Sequence, residues 1–211
     1  MINFVVDKAA GKQRATLLLA HGAGAPMDSD FMNALAAALA DRGVRVLRFE
    51  FPYMAQRRSG GSKRPPDRAP ILLTHFAAAL QQAGGEKVFI GGKSMGGRMA
   101  TMLATEQPCA GVICFGYPFH PPGKSDKTRI DHFADMQAAT LICQGERDPF
   151  GTLADVTGYA LPEKVQLHWL TDGNHDLAPR RASGLSQQDN IERAAGAAAQ
   201  WMAAQSLSER L

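Results

Sequence analysis

Several apolar segments of this chain show no alternation between apolar and polar residues, and this pattern constrains the fold most strongly. Continuous runs such as LLLA at 17–20, VFI at 88–90 and TLIC at 140–143 predict strands that are buried on both faces. Segments with helical spacing of apolar residues lie between these runs. The succession predicts an α/β fold, with a doubly wound, mostly parallel sheet of about six or seven strands between layers of helices.

The predicted elements divide the chain without an obvious linker. Strands are predicted at 14–21, 44–51, 87–92, 111–118, 139–146 and 165–170, with an additional edge strand at INFVV near the start. Helices are predicted at 29–43, 69–85, 95–108 and 186–205, and a capping box, Ser186 with Asp189, marks the start of the last one. We therefore expect residues 1–211 to form a single domain.

The segment GGKSMGG at 91–97 matches parts of two motifs with unrelated chemistry. A phosphate-binding loop that ends at Gly92-Lys93-Ser94 needs a glycine at position 87, where the chain has lysine, and residues 88–90 form a strand. The pattern Gly92-x-Ser94-x-Gly96 is instead typical of a tight turn that holds a serine nucleophile between a strand and a helix. The spacing predicts that Ser94 is a nucleophile and excludes a nucleotide-binding loop.

Candidates for the acid and the base follow two later strands. Asp148 lies after the predicted strand 139–146, with Glu146 as a rival two residues nearer the strand. His175 follows the strand 165–170, and among the six histidines only this one comes after the acid on a loop at a strand end. The order Ser94, Asp148, His175 along the chain is the order of an α/β-hydrolase triad.

An oxyanion hole needs two backbone N–H donors near the serine. The residue after the nucleophile, Met95, supplies one, and the loop HGAG at 21–24 supplies the other. We expect the second donor to be the amide of Ala23, with Gly24 as the alternative. His21 is expected to stabilise this turn rather than to act as a base.

These motifs resemble the α/β-hydrolase superfamily over nearly the whole chain. More narrowly, the chain is similar to small, lidless, dienelactone-hydrolase-like predicted serine hydrolases, a group that includes the hydrolase-like domain of a vertebrate chromatin-complex subunit. The resemblance is carried by LLLAHGAGAPMDSDFM, FEFPYM with the arginine-rich loop, GGKSMGGRMA, and GERDPFG with GNHDL. It implies a minimal hydrolase fold with no cap domain. Dienelactone hydrolases themselves have cysteine where Ser94 stands, so their substrate is not implied.

Residues in loops at the same sheet edge are candidates to contact a substrate. They are Met27, Tyr53, Met54, Lys93, Met95, Phe119 and His120. Core packing is an equal alternative for the methionines and for Phe119. The nearby segment 57–68 holds five of the arginines and lysines with one aspartate. Such a loop can attract an anionic substrate, although a solvated loop is the more common reason for a charge run.

The bulk properties fit this interpretation and exclude others. The net charge of +3 is concentrated in the segment 57–68, which argues against a nucleic-acid-binding surface. Three cysteines, two of them in apolar runs, suit reduced core thiols. With no visible signal peptide and no long apolar run, we expect a cytoplasmic protein without membrane contact. Neither a metal nor a cofactor is expected, since the histidines and cysteines lack ligand spacing.

The sequence therefore predicts a serine hydrolase that cleaves a carboxylic ester or thioester of a small substrate, either neutral or anionic, through an acyl-Ser94 intermediate. Two alternatives stay open. The same triad can transfer an acyl group to an acceptor other than water, and a hydrolase fold can serve as a non-catalytic binding or scaffold protein. The sequence does not specify the oligomeric state.

Overall fold

All strands belong to one seven-stranded sheet in a computed structural model that describes residues 1–208, with side chains through Ser206. The strands are β1 Val5–Asp7, β2 Ala15–Ala20, β3 Val44–Phe49, β4 Phe89–Lys93, β5 Val112–Phe115, β6 Thr140–Gly145 and β7 Val165–Leu170. Their order across the sheet is β1-β3-β2-β4-β5-β6-β7. All pairs are parallel except the pair of β1 with β3. The predicted fold class is confirmed.

Residues 1–208 also form six α-helices and three single-turn 3₁₀ helices. The α-helices are α1 Asp30–Ala40, α2 Pro52–Arg58, α3 Ala69–Ala83, α4 Met95–Leu103, α5 Leu153–Thr157 and α6 Gln187–Ser208. The 3₁₀ turns are Gly85–Lys87, Asp131–Phe133 and Arg181–Ser183. Between β5 and β6 the chain forms loops and one of these turns. The part of the chain that the structure describes contains no separate cap domain.

Helix α2 is not among the helices that the sequence predicts. Pro52 stands at the first turn, where its fixed φ favours a helix start and its missing N–H is not needed. Tyr53 and Met54 are buried on its inner side. Tertiary burial of these two side chains therefore stabilises a helix that is too short to show a periodic pattern.

The core lies on both faces of the sheet, as the unalternating strands predict. In β2, Leu18 and Ala20 pack towards α3 and α4, whereas Leu17 and Leu19 pack towards α1 and α6. The three cysteines are free thiols, and Cys114 and Cys143 are buried within β5 and β6.

Strand register brings the carboxyl ends of the central strands to one edge. Ala20 at the end of β2 is paired with Gly92 in β4, and Lys93 at the end of β4 is paired with Phe115 in β5. The segments that follow β2, β4, β6 and β7 leave the sheet at this edge. These segments carry the residues proposed from the sequence as oxyanion donors, nucleophile, acid and base.

Candidate active site

Ser94 occupies the single residue between β4 and α4. Its backbone has φ 52° and ψ −115°, in a region where residues with a side chain are strained. The Ser94 N–H donates to the carbonyl of Phe115 (3.1 Å), and the Ser94 carbonyl accepts from the N–H of Arg98 (3.0 Å). The turn is therefore fixed on both sides, and it places the serine at the amino end of α4.

Two glycines allow this turn. A Cβ on Gly92 would lie 2.5 Å from the carbonyl carbon of Gly96. A Cβ on Gly96 would lie 2.6 Å from the carbonyl oxygens of both Ala20 and His21. Because real Cβ atoms do not approach backbone so closely, the helix can pack against the β2 end only with glycine at both positions.

His175 bridges the serine and an aspartate. Its Nε2 lies 2.8 Å from Ser94 Oγ, and its Nδ1 lies 2.8 Å from Asp148 Oδ2. With Nδ1 protonated, the ring donates to Asp148 and accepts from the serine hydroxyl. The structure thus brings together the three residues that the sequence order singled out, with a geometry suited to removing the serine proton.

Asp148 is fully buried and has hydrogen-bond donors on both oxygens. Its Oδ2 accepts from Gln144 Nε2 (2.9 Å) as well as from His175, and its Oδ1 accepts from the N–H of Phe150 (2.9 Å). The rival carboxylate of Glu146 accepts from the N–H of Asp172 instead (2.8 Å). The geometry therefore favours Asp148 over Glu146 as the partner of the histidine.

Gln144 is a buried residue that the sequence analysis did not single out. Its Nε2 also reaches the carbonyls of Tyr117 (3.2 Å) and Gly151 (3.1 Å), and its Oε1 accepts from the N–H of Tyr117 (2.7 Å). The side chain thus ties the ends of β5 and β6 to Asp148. The available signal was a polar residue inside the apolar run TLICQG, because a buried amide requires specific partners.

The loop after β2 is held by two buried side chains. His21 contacts the Gly22 carbonyl through Nδ1 (2.7 Å) and accepts from the N–H of Phe51 at Nε2 (3.1 Å). The Tyr53 hydroxyl donates to the carbonyls of Ala23 (2.9 Å) and Gly22 (3.3 Å). Burial raises the pKa of Tyr53 to about 12, so the hydroxyl keeps its proton for these bonds.

His21 therefore stabilises the turn, as expected. Burial lowers its pKa, which favours the neutral ring that can both donate and accept. The amide of Ala23 lies in this same fixed loop, and Met95 is the first residue of α4, where an amide has no acceptor within the helix. Both amides stay candidates for the oxyanion hole.

Lys93 precedes the serine and is buried, with 8% of its side-chain area exposed. Its Nζ donates to the carbonyl of His175 (2.8 Å), lies 3.3 Å from Asp176 Oδ1, and is 5.5 Å from the ring centre of Phe31. Burial lowers the pKa of this ammonium, while the charges of Asp176 and Asp148 oppose that effect. Lys93 thus ties the turn at Ser94 to the loop of the histidine.

A cavity of about 360 Å³ opens beside Ser94 and His175. Its walls are the loop 22–25, the first turn of α1 with Phe31 and Met32, Lys93, Phe150, and Asp176. The Phe150 ring lies 4.3 Å from the His175 ring, centre to centre. Two other cavities, of about 320 and 480 Å³, lie near the amino ends of the strands and are lined by none of these residues.

Of the residues expected to contact a substrate, only Lys93 lines this cavity. Phe119 and His120 are buried instead: Phe119 packs on Tyr117, and Nδ1 of His120 lies 2.8 Å from the carbonyl of Pro121. Tyr53 is buried, and its hydroxyl contacts the loop 21–24, which carries the proposed oxyanion donor and is called the oxyanion loop below. None of these three residues lines the cavity beside Ser94.

The three methionines also lie outside the cavity wall. Met54 is buried in the core, and Met95 packs against the same core cluster. Met27 is half-buried outside the cavity wall, with its carbonyl accepting from Arg48 (2.8 Å). None of these three methionines is among the residues that line the cavity beside Ser94.

The basic segment 57–68 is partly neutralised. Arg58 forms ion pairs with Asp28 (2.7 Å) and Glu50 (2.6 Å), and Arg64 pairs with Asp67 (2.7 Å). The charges of these two arginines are therefore directed at carboxylates of the same chain.

Two further properties concern the described residues as a set. Residues 1–208 contain no group of three or more His, Cys, Asp or Glu side chains arranged to hold a metal ion. No helix among them is both long and apolar enough to cross a membrane.

Solved structures with this fold are numerous. An α/β serine hydrolase homologue from Coxiella burnetii has a TM-score of 0.67 and 19% identity, covering 91% of this chain and 88% of that one. A lidless α/β serine hydrolase from Xanthomonas campestris has a TM-score of 0.65 and 20% identity, covering 94% and 88%. A dienelactone hydrolase from Anabaena variabilis has a TM-score of 0.68 and 18% identity, covering 93% and 88%. At such identities these likenesses concern the fold.

The family assignment rests on the sequence itself. The model of an α/β-hydrolase domain family matches residues 13–203, which include the oxyanion loop, the turn at Ser94, and both Asp148 and His175. The chain therefore belongs to this family of α/β hydrolases.

Proposed function

We propose that this hydrolase cleaves a carboxylic ester or thioester of a small substrate through a covalent acyl-Ser94 intermediate. The observation that carries the proposal is the continuous chain of two 2.8 Å contacts from Ser94 Oγ through His175 to Asp148. Such a chain, ending on a buried carboxylate, is the arrangement that activates a serine hydroxyl.

The first half of the reaction acylates the enzyme. Ser94 Oγ attacks the substrate carbonyl carbon while His175 Nε2 takes the hydroxyl proton. The negative charge that develops on the carbonyl oxygen is stabilised by the amides of Ala23 and Met95, the latter at the positive end of α4. His175 then gives the proton to the leaving oxygen or sulfur as the bond to the acyl carbon breaks.

The second half releases the acid. His175 takes a proton from water, the resulting hydroxide attacks the acyl carbon, and the histidine returns the proton to Ser94 Oγ as that bond breaks. Asp148 stays ionised, holds the Nδ1–H tautomer and stabilises the imidazolium. The net reaction is ester plus water to carboxylic acid plus alcohol, or thiol for a thioester.

A fluorophosphonate probe with intact-mass detection tests the proposal without knowledge of the substrate. We expect stoichiometric labelling of the wild type, because the probe needs only an activated serine and an oxyanion hole. Ser94→Ala and His175→Ala should not be labelled, since losing either member of a working triad typically lowers kcat by on the order of 10⁶.

Circular dichroism of each protein provides the control for folding. A folded wild type that the probe does not label contradicts the proposal, and it favours a non-catalytic binding protein on the hydrolase fold. Labelling that persists in Ser94→Ala would place the nucleophile elsewhere.

A further inference from the structure

We propose that the ion pair of Lys93 and Asp176 determines the charge selectivity of the cavity beside Ser94, so that the enzyme takes small, uncharged, largely apolar esters. The inference rests on the proposed function, because it concerns the substrate of that same site. It departs from the expectation of an anionic substrate that the basic segment 57–68 suggested.

The charges in the cavity wall cancel. Apart from the titratable ring of His175, Lys93 and Asp176 are the charged residues among those that line the space. Their Nζ and Oδ1 atoms are 3.3 Å apart. At this separation the fields of the two groups largely compensate each other for a substrate atom farther away.

Two of the hydrogen-bond donors of Lys93 already face acceptors of the same chain. An ammonium has three donors. One is directed to the His175 carbonyl at 2.8 Å, a second faces Asp176, and the ring of Phe31 lies 5.5 Å from the nitrogen. Since Asp176 already places a carboxylate 3.3 Å from this ammonium, a substrate carboxylate must compete with it for Lys93.

Asp176 stands at the solvent side of this pair. Its side chain is 63% exposed while Lys93 is covered. An approaching anion therefore meets the carboxylate before it meets the ammonium. Like charges at short distance disfavour binding, so Asp176 both neutralises Lys93 and repels anionic groups.

The remaining walls favour an apolar substrate. Phe31, Met32 and Phe150 supply apolar surface, and the volume of about 360 Å³ lies towards the lower end of the ~300–1,000 Å³ range of small-ligand sites. A carboxylate placed among these groups would lose its hydration without gaining a partner. Neither Arg58 nor Arg64 offers one, since both are paired with carboxylates of the chain.

The test compares two p-nitrophenyl esters whose acyl chains have equal length, the neutral hexanoate and the anionic monoester of adipic acid. We expect the wild type to have a kcat/KM at least about tenfold higher for the hexanoate. In Asp176→Asn an uncharged amide of the same size replaces the carboxylate, so the charge of the wall changes from zero to +1. The ratio of hexanoate to adipate kcat/KM should then fall at least about tenfold, through a rise in the adipate value.

Two further variants separate charge from structure. Asp176→Glu keeps a carboxylate and should keep the wild-type preference. Adding Lys93→Met to Asp176→Asn should abolish the rise in kcat/KM for the adipate monoester, because the ammonium that attracts the anion is absent. In Asp176→Asn, the kcat/KM for adipate should also fall with added NaCl.

The outcomes distinguish this inference from the proposed function. Equal wild-type rates on the two esters, a preference for adipate, or a ratio that Asp176→Asn leaves unchanged would overturn the inference. If the fluorophosphonate probe labels Ser94 but neither ester is hydrolysed, the substrate class is wrong and the serine hydrolase chemistry stands. A folded protein that is not labelled removes the proposed function itself.

Discussion

Tyr53 supports the oxyanion loop through a single atom, its hydroxyl oxygen. The side chain is buried, and the hydroxyl donates to the carbonyls of Ala23 and Gly22 on the loop that faces Ser94. Its ring does not line the cavity beside Ser94, so it is not placed to contact a substrate there. Under the proposed function, we expect Tyr53 to act on the chemistry by positioning the amide of Ala23.

We predict that Tyr53→Phe lowers kcat by roughly 3- to 30-fold with little change in KM, since losing one hydrogen bond of about 1 kcal/mol loosens an oxyanion donor that matters in the transition state. Steady-state kinetics on a neutral ester measures this split. Tyr117→Phe is a matched control, because that buried hydroxyl donates to the Arg129 carbonyl (2.8 Å) and not to the oxyanion loop. A KM effect without a kcat effect, or equal losses in the two variants, would contradict the positioning role.

The sheet edge at which a residue lies could be predicted from the sequence, whereas the direction of its side chain could not. Ser94, Asp148 and His175 follow strand ends, and parallel strands bring those ends together. Phe119 and His120 also follow a strand end, yet their side chains turn into the core. A sequence gives the edge on which a residue lies, but packing decides which way its side chain points.

Helices α4 and α6 each contain a glycine, Gly96 and Gly196, and only the first is required by packing. In α4, a Cβ on Gly96 would meet two backbone carbonyl oxygens at 2.6 Å. In α6, a Cβ on Gly196 would meet only the Nε atom of Arg42 at 3.6 Å, which is an ordinary contact. The first glycine is required by the packing of the turn, and the second only raises the entropy cost of forming its helix.

We therefore expect Gly196→Ala to raise the free energy of unfolding by about 0.5–1 kcal/mol and to leave activity unchanged. Gly96→Ala should lower stability and abolish labelling of Ser94, because backbone of the β2 end must move. Urea denaturation of both variants measures the effect. A loss of stability in Gly196→Ala would show that Arg42, which pairs with Glu192 (2.7 Å), cannot accommodate the methyl group.

Helices and strands with strong periodicity were predictable, and short ones stabilised by tertiary contacts were not. Helix α1 and strand β7 have nearly the bounds that their apolar patterns predict. Helix α2 has seven residues, and helix α5 has five with a capping box between Thr152 and Asp155. Segments of this length bury too few residues for a pattern to be visible, so their formation depends on neighbours that the sequence does not name.

For the whole molecule, the alternation of strands and helices predicted a parallel sheet but not the order of its strands. The order puts β4 at the centre, beside β2 and β5, so the turn at Ser94 is surrounded by loops from both sides. Antiparallel pairing of β1 is reinforced by the side chain of Arg48, which pairs with Asp7 (2.8 Å). That long-range ion pair could not be foreseen from local patterns.

Burial in this fold also predicts how stability depends on pH. Four histidines, namely His21, His75, His132 and His168, have pKa values below the ordinary 6.5, with burial as the largest cause in each. For His132, burial and the charge of Arg98 lower the pKa to about 4. Between about pH 6.5 and 4 the unfolded chain therefore binds more protons than the folded one.

The direction of the pH dependence of stability follows from this difference in proton binding. The contribution of these histidines to stability is fully present above about pH 6.5 and is lost as the pH falls towards 4, so the free energy of unfolding should decrease over that interval. Urea denaturation at several pH values between 7 and 4.5 measures the slope. This range lies above the lowered pKa values of Asp28, Asp155 and Asp189, so those carboxylates stay ionised throughout.

His132→Gln isolates one histidine. Glutamine can still donate to Thr101 Oγ, which His132 Nε2 contacts at 2.9 Å, but it does not titrate. We expect the variant to lose less stability than the wild type between pH 6.5 and 4.5. Parallel curves for the two proteins would show that His132 is protonated equally in the folded and unfolded chains, and that burial beside Arg98 does not exclude its charge.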